Sequence, residues 1–204
     1  FKLKKTADNK WTINIKDSDK GKPTFALHTG TETFEEKEII KNVFNGTWEY
    51  VPSEIRTELE KISSNNNYGE IIKVLMITSS GAEGISLKNV RFVHIMEPYW
   101  HPVRTEQVIG RARRICSHDE LNEEDKTVEV FLYLMEFSKS QLDKTSKVTL
   151  SKELRLHDVS RIDSKNIITS DQHLYEVSNI KEDINKQILK TIKESSIDCA
   201  VYGK

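Results

Sequence analysis

The chain has 204 residues, of which 36% are hydrophobic and 31% charged, and its formal net charge at pH 7 is −1. This length fits one domain with an appendage, and the apolar content together with the small net charge excludes wholesale disorder. No apolar run approaches the roughly 18 residues of a membrane span and no signal peptide opens the sequence, so we expect neither membrane binding nor secretion.

The first third of the chain predicts strands and helices in alternation. Thr31 or Thr33 can cap the first helix, acidic residues occupy its first turn, and Asn45-Gly46 ends it. In order, the predicted elements are a strand at 10–16, a turn at 17–23, a strand at 24–28, a helix at 34–44 and a weaker helix at 51–62.

The middle of the chain predicts a parallel sheet. The runs at 71–77 (IIKVLMI) and 128–135 (VEVFLYLM) are apolar on both faces, which is typical of buried parallel strands. Strands alternating with helices predict an α/β fold, with an open, mainly parallel sheet that carries helices on both faces. The other elements are a turn at 78–84, a strand at 92–96, an elbow bracketed by Pro98 and Pro102, and a helix at 103–115.

The C-terminal part predicts a polar linker and one long helix. The alternating pattern ends at about Phe137, and residues 138–168 are mostly polar. A helical extension follows from 171 to about 194, with Ser170 as a candidate cap and apolar residues along one side. We expect this side to pack back on the domain rather than to form a coiled coil with a partner.

Four of the eight arginines fall within residues 104–114, whereas the lysines are scattered. A guanidinium is planar and always charged, and it binds phosphate oxygens in a fork. Gly110 leaves room for a close approach, and Arg113 points to another side, towards a nucleic-acid backbone or an acidic partner. The alternative is a solvated basic helix with weak ion pairs. The apolar strands predicted on both sides of this helix argue against that alternative. Four residues share one face of this helix at spacings of three and four: Gln107, Gly110, Arg111 and Arg114.

Two glycine-containing turns follow predicted strands. The segment TSSGAEGISL (78–87) comes directly after an apolar strand, and Thr29-Gly30-Thr31 follows the strand at 24–28. Such turns present backbone N–H groups that can cradle phosphates, although each by itself is more often only a turn. Both stand where a strand ends, which is the edge at which open parallel sheets bind ligands.

In combination, these motifs resemble those of a known family. TSSGAEGISL resembles motif V of superfamily 2 helicases, and QVIGRARR (107–114) resembles their motif VI, Gln-x-x-Gly-Arg-x-x-Arg. The elbow EPYWHP (97–102) is similar to the Trp-x-Pro elbow of Swi/Snf-type translocases, and residues 28–45 look like the segment upstream of motif V there. The arginine helix that runs into Cys-Ser-His (116–118) is most similar to the helicase-like transcription ATPases of large DNA viruses, of the poxvirus early transcription factor and nucleoside triphosphate phosphohydrolase type. The resemblance covers residues 24–137.

The resemblance implies a fold and a nucleotide site. The fold is a RecA-like lobe, the second of two, and ATP with Mg²⁺ is held mainly by the N-terminal lobe of the same protein. Arg111 and Arg114 would face the triphosphate, with Arg114 as the arginine finger, and Gln107 would orient the γ-phosphate or the attacking water. The residues that would border the nucleotide are Gly84, Ser86 and Gly110.

The resemblance also implies a path for a nucleic-acid backbone. Glu83 stands where Swi/Snf-type proteins often have glycine, which puts an acid near this path, and Ser86 stands where relatives carry Asp or Asn. The residues that would hold the strand lie in the two turns and on the arginine helix: Thr78, Ser79, Gly81, Thr29, Gly30 and Arg113.

The expected organisation is a strand or hairpin lead-in at 1–23, the lobe at 24–137, and a linker with the last helix at 138–204. No phosphate loop of the form G-x-x-x-x-G-K-S/T occurs in the sequence. We reject Asp119-Glu120 as a magnesium-binding motif, because it lies in a predicted loop and not after an apolar strand. We therefore expect the chain alone to hydrolyse ATP no faster than background and, since it begins at Phe1, to be a piece of a longer protein.

Other candidate chemistry is weaker. Cys116 and Cys199 lie far apart and are expected to be reduced thiols. Cys116 and His118 lack a second ligand pair for zinc, so we expect no metal site. His94 is interpreted as a core histidine with a satisfied ring, and Trp100 either stacks on a base or packs under the arginine helix.

Two functions are compatible with these features. The first is the C-terminal lobe of an ATP-dependent nucleic-acid translocase or helicase in viral transcription, with DNA favoured over RNA. The second is a non-catalytic docking module of a transcription complex with vestigial motifs; the intact Gln107, Arg111 and Arg114 favour the first.

Viral RNA polymerase or transcription factors are candidate partners. The expected location is a cytoplasmic viral factory or virion, or the nucleus if the protein is not viral. A third alternative, a Rossmann-like small-molecule domain, is disfavoured, because the sequence lacks the full glycine fingerprint of that fold and the acidic residue that binds the ribose.

Overall fold

A computed structural model describes residues 1–15, 19, 22, 24–78, 84–139 and 168–196. The chain divides into two compact units, Phe1–Val93 with Val108–Glu129, and His94–Gln107 with Val130–Lys204. The described elements mix helices with strands, as an α/β fold requires. The strands are β1 (Leu3–Lys5), β2 (Trp11–Ile13), β3 (Thr24–His28), β4 (Ile72–Ile77), β5 (Phe92–Ile95) and β6 (Glu129–Leu132), and the helices are α1 (Phe34–Phe44), α2 (Ser53–Glu60), α3 (Pro102–Ala112) and α4 (Ser170–Glu194).

The lead-in predicted at 1–23 contains a β-hairpin. Strands β1 and β2 pair antiparallel, with Leu3 opposite Ile13. Ile13 is buried, and Leu3 and Trp11 pack against the core. The Trp11 indole Nε1–H also donates to a Glu35 carboxylate oxygen at 3.1 Å. The hairpin is therefore packed into the first unit rather than appended to it.

Strands β3 and β4 form a parallel pair in the first unit. The register places Ala26 opposite Leu75 and His28 opposite Ile77. Because both strands run in the same direction, their carboxyl ends lie at the same edge of the sheet. The turns that begin at Thr29 and at Thr78 therefore leave the sheet side by side.

Helix α1 packs on one face of this pair, and α2 packs against β2 of the hairpin. Thr33 caps α1 as predicted, and Glu36 completes a capping box by accepting from the Thr33 N–H at 2.8 Å. The residues that these helices bury recur at helical spacing, which explains why the pattern could be read from the sequence. They are Ile39, Ile40 and Val43 of α1 and Ile55 and Leu59 of α2.

The opposite face of the pair is exposed, so the prediction of a strand buried on both faces at 71–77 was wrong. Ile72 is fully buried, but Val74 is 48% and Met76 49% exposed. Phe25, which lies opposite Val74, is 53% exposed. Within the described part of the chain, helix α1 packs on one side of β3 and β4, and alternate residues of the apolar run face outwards on the other side.

Strands β5 and β6 form a second parallel pair. The Glu129 N–H donates to the Arg91 carbonyl at 2.8 Å and the Tyr133 N–H to the Ile95 carbonyl at 2.9 Å. From the first of these bonds to the second, the donor moves from residue 129 to 133 and the acceptor from residue 91 to 95. Both residue numbers increase together, so the two strands run in the same direction. The strand predicted at 128–135 is shorter, and the expectation that it is buried was wrong, since Val130 and Phe131 are about as exposed as Val74.

Helix α4 belongs to the second unit and begins one residue earlier than predicted. Its N-cap is Thr169 rather than Ser170, with a capping box to Gln172. The Thr169 hydroxyl donates to the Met135 carbonyl at 2.5 Å, and the Met135 N–H donates to Asp171 at 3.0 Å. These bonds attach the first turn of the helix to the chain that follows β6.

The rest of α4 does not pack as the sequence predicted. Every residue from 183 to 195 is exposed, and the isoleucines at 180, 184, 188 and 192 are each at least half exposed. The expectation that the apolar side packs back on the domain therefore fails for the C-terminal half. The predicted polar linker falls largely at 140–167, outside the described residues. Among the described helices, none combines the length and apolarity that a membrane crossing needs.

Candidate functional site

The arginine-bearing helix α3 ends sooner than the sequence predicts. Its last residue is Ala112, so Arg113 and Arg114 lie in the turn that follows, and the prediction that Arg114 shares a helix face with Gln107 was wrong. The Ser117 hydroxyl donates to the Ala112 carbonyl at 3.1 Å, which satisfies one of the acceptors that a helix end leaves open. Cys116 then takes a left-handed conformation with φ of 60°, which a continuing helix cannot accommodate.

The Ser117-His118 corner attaches this turn to the segment before β5. His118 Nε2 lies 2.8 Å from the Val90 carbonyl, and since a carbonyl only accepts, this nitrogen carries the proton. His118 Nδ1 lies 2.7 Å from the Ser117 hydroxyl, and the Asn89 N–H donates to the Ser117 carbonyl at 2.8 Å. Both ring nitrogens of His118 thus lie within hydrogen-bonding distance of oxygen atoms of the protein.

The corner places Arg114 against the segment that follows the second glycine turn. The Arg114 Nη1 donates to the Ser86 hydroxyl at 2.5 Å, and both side chains are exposed. The Leu87 N–H donates to the Arg111 carbonyl at 3.4 Å, and Arg111 itself is half-buried. The structure therefore brings together the two motifs from which a nucleotide site was predicted.

Two glycines beside these residues leave open space. A Cβ built on Gly110 or on Gly84 would meet no atom within 4 Å. Gly84 has φ of 73°, a conformation that favours glycine. Gly110 lies in a helix, where the backbone conformation does not require glycine and where glycine lowers stability relative to alanine. The exposed guanidinium with open space around it is an arrangement that fits an anionic ligand.

The other residues predicted in these two motifs are either exposed or lie outside the residues that the structure describes. Gln107 is exposed on α3, and Arg113 is exposed in the turn beyond it. Ser79, Gly81 and Glu83 lie outside the described residues.

Asn45 holds this region together, although sequence reasoning treated it only as a helix stop. It is 8% exposed, and its side-chain amide donates to the Ser86 carbonyl at 2.9 Å. Its Oδ1 accepts from the Lys88 N–H at 2.9 Å. A buried amide with both ends paired to one backbone segment fixes the position of that segment. The signal was the Phe-Asn ending of α1, but nothing local indicated a partner more than 40 residues away.

Three of the residues predicted to hold a nucleic-acid backbone lie at one sheet edge: Thr29, Gly30 and Thr78. Thr29 and Thr78 follow His28 and Ile77, which are opposite each other in the parallel pair. Gly30 and Thr78 are exposed, and Thr29 is half-buried. Thr29 and Thr78, the residues at which the two predicted turns begin, therefore lie at the same edge of the sheet.

The Thr29 turn already holds an anion from its own chain. The Thr29 N–H and hydroxyl donate to Glu32 Oε2 at 2.6 and 2.7 Å, and the Thr31 hydroxyl donates to Glu32 Oε1 at 3.0 Å. Burial disfavours the charged form of Glu32, but these hydrogen bonds outweigh it and lower the pKa of the carboxyl to about 2. Sequence reasoning did not identify Glu32 as part of this turn.

Three other candidates are placed by their contacts. His94 is exposed rather than in the core, because it stands on the uncovered face of β5, where its Nδ1 lies 2.9 Å from the Tyr133 hydroxyl. Trp100 is 45% exposed, and the Lys181 ammonium lies 3.7 Å from the centre of its ring. Glu120, rejected above as a magnesium ligand, pairs with Lys88 at 3.3 Å.

The chain matches one protein family over most of the first unit. Residues 7–116, just over half of the 204, match the family described as "Helicase conserved C-terminal domain". This range includes the Thr29 turn, the Gly84 segment, Asn45 and the arginines of α3 and its following turn.

Proteins similar to this chain include three from different viruses. The "Termination factor NPH-I homolog" of African swine fever virus is 31% identical over 180 residues, which are 88% of this chain and 21% of that protein. The "Putative ATP-dependent RNA helicase R350" of Acanthamoeba polyphaga mimivirus is 33% identical over 163 residues, 80% of this chain and 16% of that protein. "Nucleoside triphosphatase I" of Heliothis armigera entomopoxvirus is 37% identical over 94 residues, 44% of this chain and 15% of that protein. The chain thus spans about a fifth of the first of these relatives, and no solved structure matches it.

Proposed function

Because the chain belongs to the family of helicase conserved C-terminal domains, we propose that it is the C-terminal RecA-like lobe of an ATP-dependent nucleic-acid translocase that acts in viral transcription. The lobe would comprise residues 24–137 within an open, mainly parallel sheet, with the hairpin before it and α4 after it. The relatives are named as a termination factor homologue, an RNA helicase and a nucleoside triphosphatase. These names support a role in which nucleoside triphosphate hydrolysis is coupled to nucleic acid.

The observation that carries this proposal is the hydrogen bond from Arg114 to Ser86. It joins the segment after the glycine turn to the end of the arginine run, which are the two parts that a shared nucleotide site needs. When bound, Mg²⁺-ATP supplies the phosphoryl group, and the N-terminal lobe of the same protein would hold most of it. In this chain Arg114 would stabilise charge on the triphosphate, as an arginine finger does. The other residues that would line the site are Arg111, Gln107, Gly84, Ser86 and Gly110.

The nucleic-acid backbone would run along the edge where β3 and β4 end. Hydroxyl and N–H donors at Thr29 and Thr78 and the open glycine at position 30 are suited to phosphate oxygens. Ser79, Gly81 and Arg113 would extend this path. We propose DNA as the substrate, with RNA as the alternative that the names of the mimivirus relatives favour.

The proposal is tested in the longer parent protein by replacing Arg114 with alanine. We expect ATP turnover to fall by about 10³-fold or more, while nucleotide binding is largely kept. Arg113→Ala is the matched control, because Arg113 is exposed beside it and is assigned to the backbone path. It should keep most of the basal turnover in the absence of nucleic acid. If Arg114→Ala retains as much turnover as Arg113→Ala, Arg114 does not act as an arginine finger. That result would favour a docking module with vestigial motifs.

A further inference from the structure

The Thr29 turn is occupied by the carboxylate of Glu32, which takes the donors that the proposed function assigns to a phosphate. Three hydrogen bonds converge on its two oxygens, from the Thr29 N–H, the Thr29 hydroxyl and the Thr31 hydroxyl. A carboxylate and a phosphate diester are both singly charged groups that present two acceptor oxygens. A donor that is engaged by one of them cannot be fully engaged by the other.

Helix α1 does not need Glu32 for its cap. Thr33 and Glu36 form the capping box, with the Thr33 N–H on Glu36 at 2.8 Å and the Glu36 N–H on Thr33 at 3.3 Å. Among the described residues, no lysine or arginine forms an ion pair with Glu32 either. The threonine donors of the turn are therefore what holds this carboxylate.

We propose that Glu32 is an internal competitor for the backbone phosphate at the Thr29 turn, so that nucleic acid binds there by displacing the carboxylate. This inference rests on the proposed function, and it adds a regulatory element to the nucleic-acid path. Binding requires the Glu32 side chain to rotate away from Thr29 and Thr31, and release is favoured because Glu32 returns. Its negative charge beside the turn also repels the approaching phosphate.

The effect can be measured on the 204-residue chain as the dissociation constant for fluorescein-labelled oligonucleotides, followed by fluorescence anisotropy at a fixed salt concentration. Single-stranded and duplex DNA and RNA of the same length serve as probes. Glu32→Ala frees the donors, and Glu32→Gln keeps the side-chain size without the charge. Glu58→Ala is the matched control, because it removes one carboxylate from an exposed helix position of the same unit.

We expect Glu32→Ala to bind about tenfold more tightly than Glu58→Ala, the change expected when one charge-assisted hydrogen bond becomes available to the phosphate. Glu32→Gln should lie between the wild type and Glu32→Ala, and thermal unfolding of each variant verifies that it is folded. In a Thr29→Val background the advantage of Glu32→Ala should shrink, since the hydroxyl donor is then missing and only the backbone N–H of residue 29 is left for the two anions to share.

Two different failures can be told apart. Measurable binding that is equal in Glu32→Ala and Glu58→Ala would overturn the competition but leave the proposed function standing. An undiminished advantage in the Thr29→Val background would show that the two anions do not compete for the Thr29 hydroxyl, and would also overturn the proposal. No binding of any probe by the wild type or by either Glu32 variant would refute the nucleic-acid path itself, and the competition with it.

Discussion

The Arg114 guanidinium donates to the Ser86 hydroxyl at 2.5 Å, across 28 residues of sequence. This bond connects the turn after helix α3 to the segment after the glycine turn. A hydroxyl at Ser86 directs the arginine without neutralising its charge. Among the described residues the Arg114 side chain makes no other hydrogen bond, so its remaining donors would be available to the ligand proposed above.

Replacement of Ser86 by alanine should impair turnover without unfolding the protein. Both side chains of the pair are exposed, so we expect the free energy of unfolding to change by less than ~0.5 kcal/mol. Loss of the bond should lower the ATP turnover of the longer parent protein by about tenfold, because the arginine is no longer oriented. Ser86→Thr, which keeps the hydroxyl, is the control. Normal kcat in Ser86→Ala would show that the bond does not orient Arg114.

Asn45→Asp should destabilise the protein more than the same change at Asn65, which is only partly buried. The substitution replaces the amide that donates to the Ser86 carbonyl with a second acceptor, in a buried position. We expect a loss of about 1–3 kcal/mol in the free energy of unfolding, measured by urea denaturation. Asn65→Asp is the control, because its amide donates only to the exposed Ser64 hydroxyl. Similar losses of stability at the two positions would contradict the conclusion that Asn45 fixes the position of the Ser86 segment.

Alanine at two glycines should have opposite effects on stability. Gly110→Ala is expected to stabilise the protein by roughly 0.5–1 kcal/mol, because the new Cβ meets no atom and alanine favours a helix. Gly84→Ala is expected to destabilise it by about 1–2 kcal/mol, because φ of 73° is strained for alanine. Thermal unfolding measures both. If Gly110 faces a bound nucleotide, the stabilised variant should also show a raised KM for ATP; an unchanged KM would place the nucleotide elsewhere.

The carboxyl of Glu32 should make stability depend on pH in acid. Its pKa in the folded protein is lowered to about 2, whereas an unfolded glutamate titrates near ~4.3. The folded form therefore gains stability that is fully present above the unfolded pKa and is lost as the pH falls from about 4.5 towards 2. The stability difference between wild type and Glu32→Gln should shrink over that interval in denaturation experiments. A stability difference that stays constant over this interval would contradict the hydrogen bonds described here.

The sequence by itself determined the local structure of this protein. Helical spacing and caps predicted α1 and α4 within a residue or two, and apolar runs bounded by turns predicted β3, β4 and β5. The order of the motifs along the chain indicated the family, which the match to the helicase C-terminal domain confirms. These features depend on neighbouring residues, since a helix or strand period and a cap are set within a few positions of the chain.

Only the tertiary structure decided how distant side chains meet. It placed Arg114 beyond the helix, because Ser117 takes the last carbonyl and Cys116 turns left-handed. It also paired Asn45 with the Ser86 segment, and it left one face of β4 exposed where the apolar run predicted burial. Each outcome depends on which elements pack against one another, and a hydrogen bond across 28 or 41 residues leaves no periodic trace in the sequence.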